Sequence, residues 1–474
     1  MPSPRDATSS PDLGFTTLEH ERTVEALPLR GELPPWLTGS LLRTGPAKFE
    51  VGEQRMRHWF DGLAMLHRFT IADGRVSYGN RFLESRSYRA AQARGKIAYS
   101  EFATDPCRSL FKRVQSLFSP ALSDNGNVNV AKLGERFVAM TETPLPVEFD
   151  GDTLATAEVT PYRAPGQLTT AHPHLDRASG GMLNYAAKLG ASSRYRFFAL
   201  APHETEPRVL ASLPVKEPAY MHSFGLTERW LVLAEFPLVV NPLSLALSGR
   251  PYIENFHWRP ERGTRFTLID RRTGESTGPF ETEACFAFHH VNAYDSGGEV
   301  VVDLCAYPDA SIIEDLYLER LREGKPVAAA TLTRFRLNLA ERSVSSQRLT
   351  AGDVELPRIN YGRCNERPYR YVWGTGNGPS GWIERVVKVD TRNGATLSWS
   401  QPHCYAGEPV FVARPDAEDE DEGVLLSVVL DAASGSSFLL VLDAGDLGEI
   451  ARAEVPHHIP FGFHGQFAAA PPTA

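Results

Sequence analysis

At 474 residues the chain exceeds the usual size of one hydrophobic core, which leaves two or three domains or a single large, radially repeated one. Its composition is that of an ordinary globular chain, 42% hydrophobic and 23% charged, and a formal charge of -9 argues against a nucleic-acid partner, whose phosphates need clustered Lys and Arg. The five cysteines (Cys107, Cys285, Cys305, Cys364, Cys404) are odd in number, scattered and free of any CxxC, which argues against a disulfide framework or a thiolate metal site and fits a reducing compartment.

From the N-terminus, residues 1–14 are Ser/Pro-rich and read as a disordered tail. They lack the apolar run of a secretory signal. Residues 15–467 are expected to form one domain, with 468–474 as a second tail. Ile71-Ala72-Asp73-Gly74-Arg75-Val76 has the form of a β-hairpin. Residues 107–118 break the β pattern: Cys107, Leu110, Phe111, Val114, Leu117 and Phe118 recur at helical spacing, with Arg108, Lys112 and Arg113 on the other face. Such a helix more often packs onto its own protein, but a basic face beside two phenylalanines also suits a membrane surface. The most apolar window, Trp230 to Leu247, is broken by Glu235, Pro237, Asn241 and Pro242 and is too short to span a bilayer.

With 38 Gly and 35 Pro, turns are frequent, which favours an all-β chain. An apolar residue, an Asp and a short turn containing Gly follow β-rich runs at Phe149-Asp150, Ile269-Asp270, Val389-Asp390 and Leu442-Asp443. The repeat is degenerate and is compatible with propeller blades or with independent loops of a sandwich. The acidic run from Asp416 to Glu422 lacks the glycine and spacing of a calcium loop and reads as a solvated turn.

Four histidines stand among apolar residues: His172, His222, His289 and His464. Any one alone reads first as a hydrogen-bonded core histidine. His203, His403, His457 and His458, in polar or Pro-flanked stretches, read as surface. Separations of tens to hundreds of residues exclude a local ligand motif, so the four can share a metal only if the fold brings distant strands to one axis.

Read with the segments around them, these histidines resemble the carotenoid cleavage oxygenases, a family that includes stilbenoid-cleaving enzymes and a retinoid isomerohydrolase. The resemblance is carried by Trp36-Leu37-Thr38-Gly39, Arg43-Thr44-Gly45-Pro46, Phe60-Asp61-Gly62, Thr141-Glu142-Thr143, Ala171-His172-Pro173-His174, Met221-His222-Ser223-Phe224, Phe288-His289-His290, Gly407-Glu408-Pro409 and Gly462-Phe463-His464-Gly465, and covers nearly the whole chain.

It implies an all-β, seven-bladed β-propeller with a loop and helix cap over an axial metal site. It implies one Fe(2+) held by His172, His222, His289 and His464, the first histidine of each doublet being the ligand. Glu142, Glu355 and Glu408 would be hydrogen-bonded behind the ligands, and Val128 and Thr141 would lie near an open iron position, although Val128 reads equally well as a core strand valine. With imidazole ligands, zinc is the other metal to weigh. Beyond the metal centre no catalytic side chain is implied. The implied reaction is cleavage of a conjugated C=C bond of a carotenoid or apocarotenoid to two carbonyl products, with O2 as co-substrate. Leu110, Phe111, Val114, Leu117 and Phe118 would form a membrane-facing patch of a cytoplasmic protein peripheral to the membrane, through which a lipophilic substrate enters. No obligate protein partner is evident. The alternatives are a stilbenoid or phenylpropanoid alkene dioxygenase, a non-oxidative isomerohydrolase, and a propeller interaction module with a structural metal.

Overall fold

Seven antiparallel sheets surround one axis as the blades of a β-propeller in the computed structural model, which describes residues 10–106, 122–159, 162–176, 179–202 and 204–470. In chain order the blades are built around the hairpins Leu63–Ala72/Arg75–Phe82, Asn129–Leu133/Arg136–Met140, Gly181–Lys188/Arg194–Leu200, Trp230–Glu235/Thr264–Asp270, Phe286–Ser296/Glu299–Tyr307, Tyr371–Asn377/Ile383–Asp390 and Gly423–Asp431/Ser436–Asp443. The ring is closed at both chain ends. Gly465–Ala469 is the inner strand of the first blade, against Gly39–Lys48, and Leu29–Gly31 is the outer strand of the last, against Glu449–Val455.

Local chemistry sets the hairpins. Asp73 and Gly74, at φ 49° and 69°, make the tight turn that pairs Ile71 with Val76. The four Asp turns occupy one place in four blades, between the third and fourth strands. There the aspartate accepts the backbone N–H two residues on, at 3.0 Å for Asp150, 2.9 Å for Asp270, 3.0 Å for Asp390 and 2.7 Å for Asp443. The degenerate repeat is therefore a propeller signal and not a set of unrelated sandwich loops. Apolar faces of neighbouring blades interlock, as where Leu183, Tyr185 and Phe197 of the third meet Phe224 and Leu231 of the fourth.

The cap grows from long connections inside blades. Between strands two and three of the fourth blade lie the pair Leu238–Val240/Phe256–Trp258 and the helix Pro242–Leu247; in the fifth blade the same connection holds the helices Ser311–Asp315 and Leu318–Arg322. Among the described residues the short turn Trp59–Asp61, inside the first blade, and the helix Arg86–Arg94, between the first and second blades, add to it.

Three expectations change. The N-terminal tail does not run to residue 14: Pro11–Phe15 is a 3-10 helix, because Phe15 is buried against the rings of Trp59, Trp382 and Phe461. At the other end Ala468 and Ala469 are strand, paired with Ser40 and Gly39. The acidic run is not wholly solvated, since Glu420 accepts the backbone N–H groups of Arg370 and Tyr371 and Asp421 pairs with Lys388. The amphipathic stretch 107–118, with Leu110, Phe111, Val114, Leu117 and Phe118, lies outside the described residues, as does His203. Among the described residues no helix is long and apolar enough to cross a membrane, and Cys285, Cys305, Cys364 and Cys404 are free thiols.

Candidate metal centre

Each blade sends the start of its inner strand toward the axis. His172 precedes His174–Asp176, His222 precedes Gly225–Leu226, His289 is the fourth residue of Phe286–Ser296, and His464 precedes Gly465–Ala469. The equivalent places in the other three blades hold Val128, before Asn129–Leu133, Glu355, opening Glu355–Arg358, and Glu408, between Cys404–Ala406 and Val410–Ala413. Seven separate strand starts thus supply four imidazoles, two carboxylates and one apolar side chain to one end of the ring.

The four imidazoles meet. Their ligating nitrogens lie within 4.8 Å of one another, a group able to hold a metal ion. His172 Nε2 faces His222 Nε2 at 3.0 Å, and His289 Nε2 faces His464 Nε2 at 3.1 Å. Behind them, His222 donates Nδ1–H to Glu142 Oε1 (2.7 Å), His289 to Glu355 Oε2 (2.6 Å) and His464 to Glu408 Oε1 (2.6 Å). Each carboxylate fixes one tautomer and leaves the Nε2 lone pair pointing inward. His172 has no carboxylate partner among the described residues.

Electrostatics favour that state. Burial would raise the Glu408 carboxyl, but Arg358 and His464 outweigh it and hold it well below the usual carboxylate range. Arg358 grips Glu408 through two bonds, Nε to Oε1 at 2.8 Å and a terminal nitrogen to Oε2 at 2.9 Å. Burial likewise opposes ionisation of Glu355, and its contact with His289 prevails and lowers it. Tyr220 gives its hydroxyl to Glu142 Oε1 at 2.7 Å. Burial pushes His464 down to about 4, and His172 well below the ordinary imidazole value, so both rings are neutral at physiological pH.

The donor set fits a metal. His289 and His464 each spend their one N–H on an ionised glutamate, so two bare lone pairs face each other at 3.1 Å. A metal ion between them, or a shared proton, makes that approach favourable. Four imidazole nitrogens grouped in this way suit a divalent ion that takes imidazole ligands, iron and zinc among them.

The second histidine of each doublet is engaged elsewhere. His174 donates Nε2–H to the Phe224 carbonyl at 3.0 Å, with the Tyr361 hydroxyl 2.9 Å from its other nitrogen, and His290 bonds Ser223 Oγ at 2.9 Å. His403 is exposed as expected, but His457 and His458 are half-buried, His458 lying 3.2 Å from Thr16 Oγ1.

Above the histidines is a cavity, to which His222, His289, His464, Val128 and Thr141 all contribute. Val128 is buried and its carbonyl accepts the His464 N–H at 3.3 Å. The remaining wall is chiefly aromatic and aliphatic. Phe60 contacts Phe102, Phe288 and Phe463 at centroid distances of 5.1, 5.7 and 5.1 Å, and Trp59 contacts Phe463 at 4.3 Å and Trp382 at 5.3 Å. Sequence reasoning identified Phe60, Phe288 and Phe463 only as parts of motifs and missed Phe102, Trp382 and Arg358, whose roles depend on neighbours far along the chain.

Comparison with known proteins agrees with this geometry. Residues 15–469 match the family model described as retinal pigment epithelial membrane protein. The chain is 36% identical to a carotenoid isomerooxygenase of Galleria mellonella, over 93% of this chain and 92% of that one, and 34% identical to the human beta,beta-carotene 15,15'-dioxygenase, over 92% and 91%. Among solved structures it is similar to a glutamate-to-glutamine variant of the Synechocystis apocarotenoid oxygenase, with a TM-score of 0.87 at 28% identity over 98% of this chain and 100% of that one. A cobalt-substituted form of that oxygenase superposes with a TM-score of 0.85, at 28% identity over 97% and 99%. Seven blades, four converging imidazoles and a family match over nearly the whole length place this chain in the carotenoid oxygenase family of the retinal pigment epithelial membrane protein.

Proposed function

We propose that this protein is a nonheme iron(II) dioxygenase that cleaves a conjugated carbon–carbon double bond of a carotenoid or apocarotenoid, each carbon of that bond receiving one atom of O2 to give two carbonyl products. The observation that carries this reading is a set of four imidazoles, without an anionic ligand among them, opening directly onto an apolar, aromatic cavity. A closed structural metal site has no use for such a space. His172, His222, His289 and His464 are the proposed ligands. Four imidazole donors would leave an iron(II) ion its full charge and room for further ligands, which is the capacity to bind and activate O2.

The chain's own residues supply the rest. Glu142, Glu355 and Glu408 orient three of the rings and raise their basicity. Val128 and Thr141 are proposed to border the open side of the site, the valine methyl groups narrowing where a small molecule fits. Phe60, Phe102, Phe288 and Phe463 hold a flat polyene in register, exclude water and present ring faces to positive charge developing along it. Peripheral membrane contact is part of the proposal, because polyenes partition into lipid. Leu243 and Leu247, four residues apart on one short helix of the cap, are 66% and 74% exposed.

The test is anaerobic loading with iron(II), addition of nitric oxide with EPR detection, and mass spectrometry of products from a panel of carotenoids, apocarotenals and stilbenes in air. A high-spin nitrosyl signal together with paired aldehydes from a polyene is expected. A silent site, or products from stilbenes alone, overturns the reading.

A further inference from the structure

Arg43 is a buried cation without a matching anion. It lies in Gly39–Lys48, the strand that closes the ring against Gly465–Ala469, and only 6% of it is exposed. Among the described residues its guanidinium makes one hydrogen bond, from Nη2 to the Phe463 carbonyl at 3.4 Å, longer than the usual range. The acid whose charge acts on it, Glu408, is already engaged. Arg358 Nε and the His464 ring donate to Glu408 Oε1, and a terminal nitrogen of Arg358 and the Gly465 N–H donate to Oε2, which occupies all four acceptor positions of that carboxylate. Arg358 also sets a second positive charge near the first.

The guanidinium lines a small cavity between the first and last blades, together with Thr44, His67, Val428, Leu430 and Ile459. Among the described residues no carboxylate lines it, and it shares no lining residue with the larger cavity above the histidines. Glycines leave room around the charge: a Cβ on Gly407 would stand 3.1 Å from Nη1, and one on Gly462 3.7 Å from Nη2. The other polar groups of the wall already have partners, Thr44 giving its hydroxyl to the Gly126 carbonyl at 2.6 Å and His67 Nδ1 meeting the Tyr78 hydroxyl at 3.0 Å. An arginine does not shed its proton, and a buried charge is costly unless an opposite charge meets it. Water in the cavity would satisfy donors but leave the charge uncompensated. The space admits a particle of water size, which is close to that of a chloride ion.

We propose that Arg43 is the centre of a buried binding site for a small monovalent anion, of chloride size, in the seam where the first and last blades close the ring. Because the site exists only when that seam is closed, the anion stabilises the folded propeller. The inference does not depend on the dioxygenase reading.

The experiment uses the full chain. Crystals soaked in bromide, whose anomalous scattering distinguishes it from water, should show a peak in contact with the Arg43 guanidinium. In solution at constant ionic strength, Tm should be about 1–2 °C higher in chloride at about ten times its dissociation constant than in gluconate, an anion too large for the cavity. Arg43→Met, which keeps an unbranched side chain without the charge, should erase that difference. A site that shows water and no bromide peak overturns the proposal, and that result needs no variant to fold. Equal Tm of the wild type in the two salts overturns it as well, as does a chloride effect undiminished in Arg43→Met.

Discussion

His289 and His464 face each other Nε2 to Nε2 at 3.1 Å while each gives its Nδ1–H to its own lowered, ionised glutamate, Glu355 and Glu408. Two lone pairs at that distance repel, so the apo protein must splay the rings or take up a proton. Metal removal is therefore expected to cost stability. With free iron(II) at about a hundred times its dissociation constant, binding adds about 2.7 kcal/mol, so chelation should lower Tm and iron(II) should restore it. A Tm unmoved by chelation would mean that the rings hold no ion.

The same relationship predicts how single ligands behave. His464→Ala removes one donor and leaves Glu408 without its ring, and iron content should fall to background. His403→Ala, at an exposed position, should retain a full complement. Metal analysis of the two purified variants side by side gives the comparison, and equal iron in both would refute the assignment.

Arg358 holds both oxygens of Glu408, sharing Oε1 with His464, and also reaches the Gly465 carbonyl at 2.5 Å. Arg358→Met leaves a fully buried carboxylate with an imidazole and one backbone N–H as its remaining partners. Breaking a buried pair in this way costs about 3–5 kcal/mol, and loss of a group behind a ligand typically weakens metal binding about 10–100-fold. Denaturant unfolding and iron titration should show both. Arg358→Lys should recover part of the stability but less of the affinity, because an ammonium cannot make the two-point contact.

What could be read in advance follows from range. The tight turn at Asp73-Gly74 and the four Asp turns are local chemistry, and they were legible because a side chain reaching two residues ahead needs no tertiary partner. That the four histidines come together was legible through their apolar settings and the family resemblance. The pairing of Glu142 with His222, 80 residues apart, and of Glu408 with His464, 56 apart, was not, because blade order alone decides which strand starts are neighbours. Phe15 shows the converse failure. A Ser/Pro-rich stretch looked like a free tail, yet one aromatic ring at its end, packed on Trp59, Trp382 and Phe461, orders the turn before it.

Buried neutral histidines give the fold a defined acid sensitivity. Burial lowers His58 to about 3, His174 to about 4 and His290 to about 3, from an ordinary value of 6.5. Between about pH 4 and 6.5 the unfolded chain binds these protons and the folded one does not, so their contribution is complete above 6.5 and is lost as pH falls. Asp61 works the other way. Burial raises it to about 6, so its contribution is complete below the ordinary carboxylate value and is lost as pH rises through 6. Three groups outweigh one, and Tm of the apo protein should fall from pH 7 to pH 4.5. His174→Gln, which keeps a donor for the Phe224 carbonyl, should flatten the slope, and an unchanged slope would mean that this ring is charged in the fold.

The cap presents its apolar surface beside the cavity. Asn241 caps the helix Pro242–Leu247 by accepting the N–H groups of Leu243 and Ser244, which fixes its start, and Leu245 packs inward on the core. Leu243 and Leu247, four residues apart, are then turned outward together. The following segment carries Tyr252, whose ring meets Phe102 of the cavity wall at 6.2 Å, so the exposed leucines lie on the insertion that helps close the substrate space. Insertion of two leucines into a lipid interface is worth a few kcal/mol at most. Leu243→Ser with Leu247→Ser should therefore weaken co-sedimentation with phosphatidylcholine vesicles by about tenfold or more, while thermal stability stays within about 0.5 kcal/mol because neither side chain is buried in the fold. Vesicle binding equal to that of the unmodified protein would overturn this assignment of the leucines.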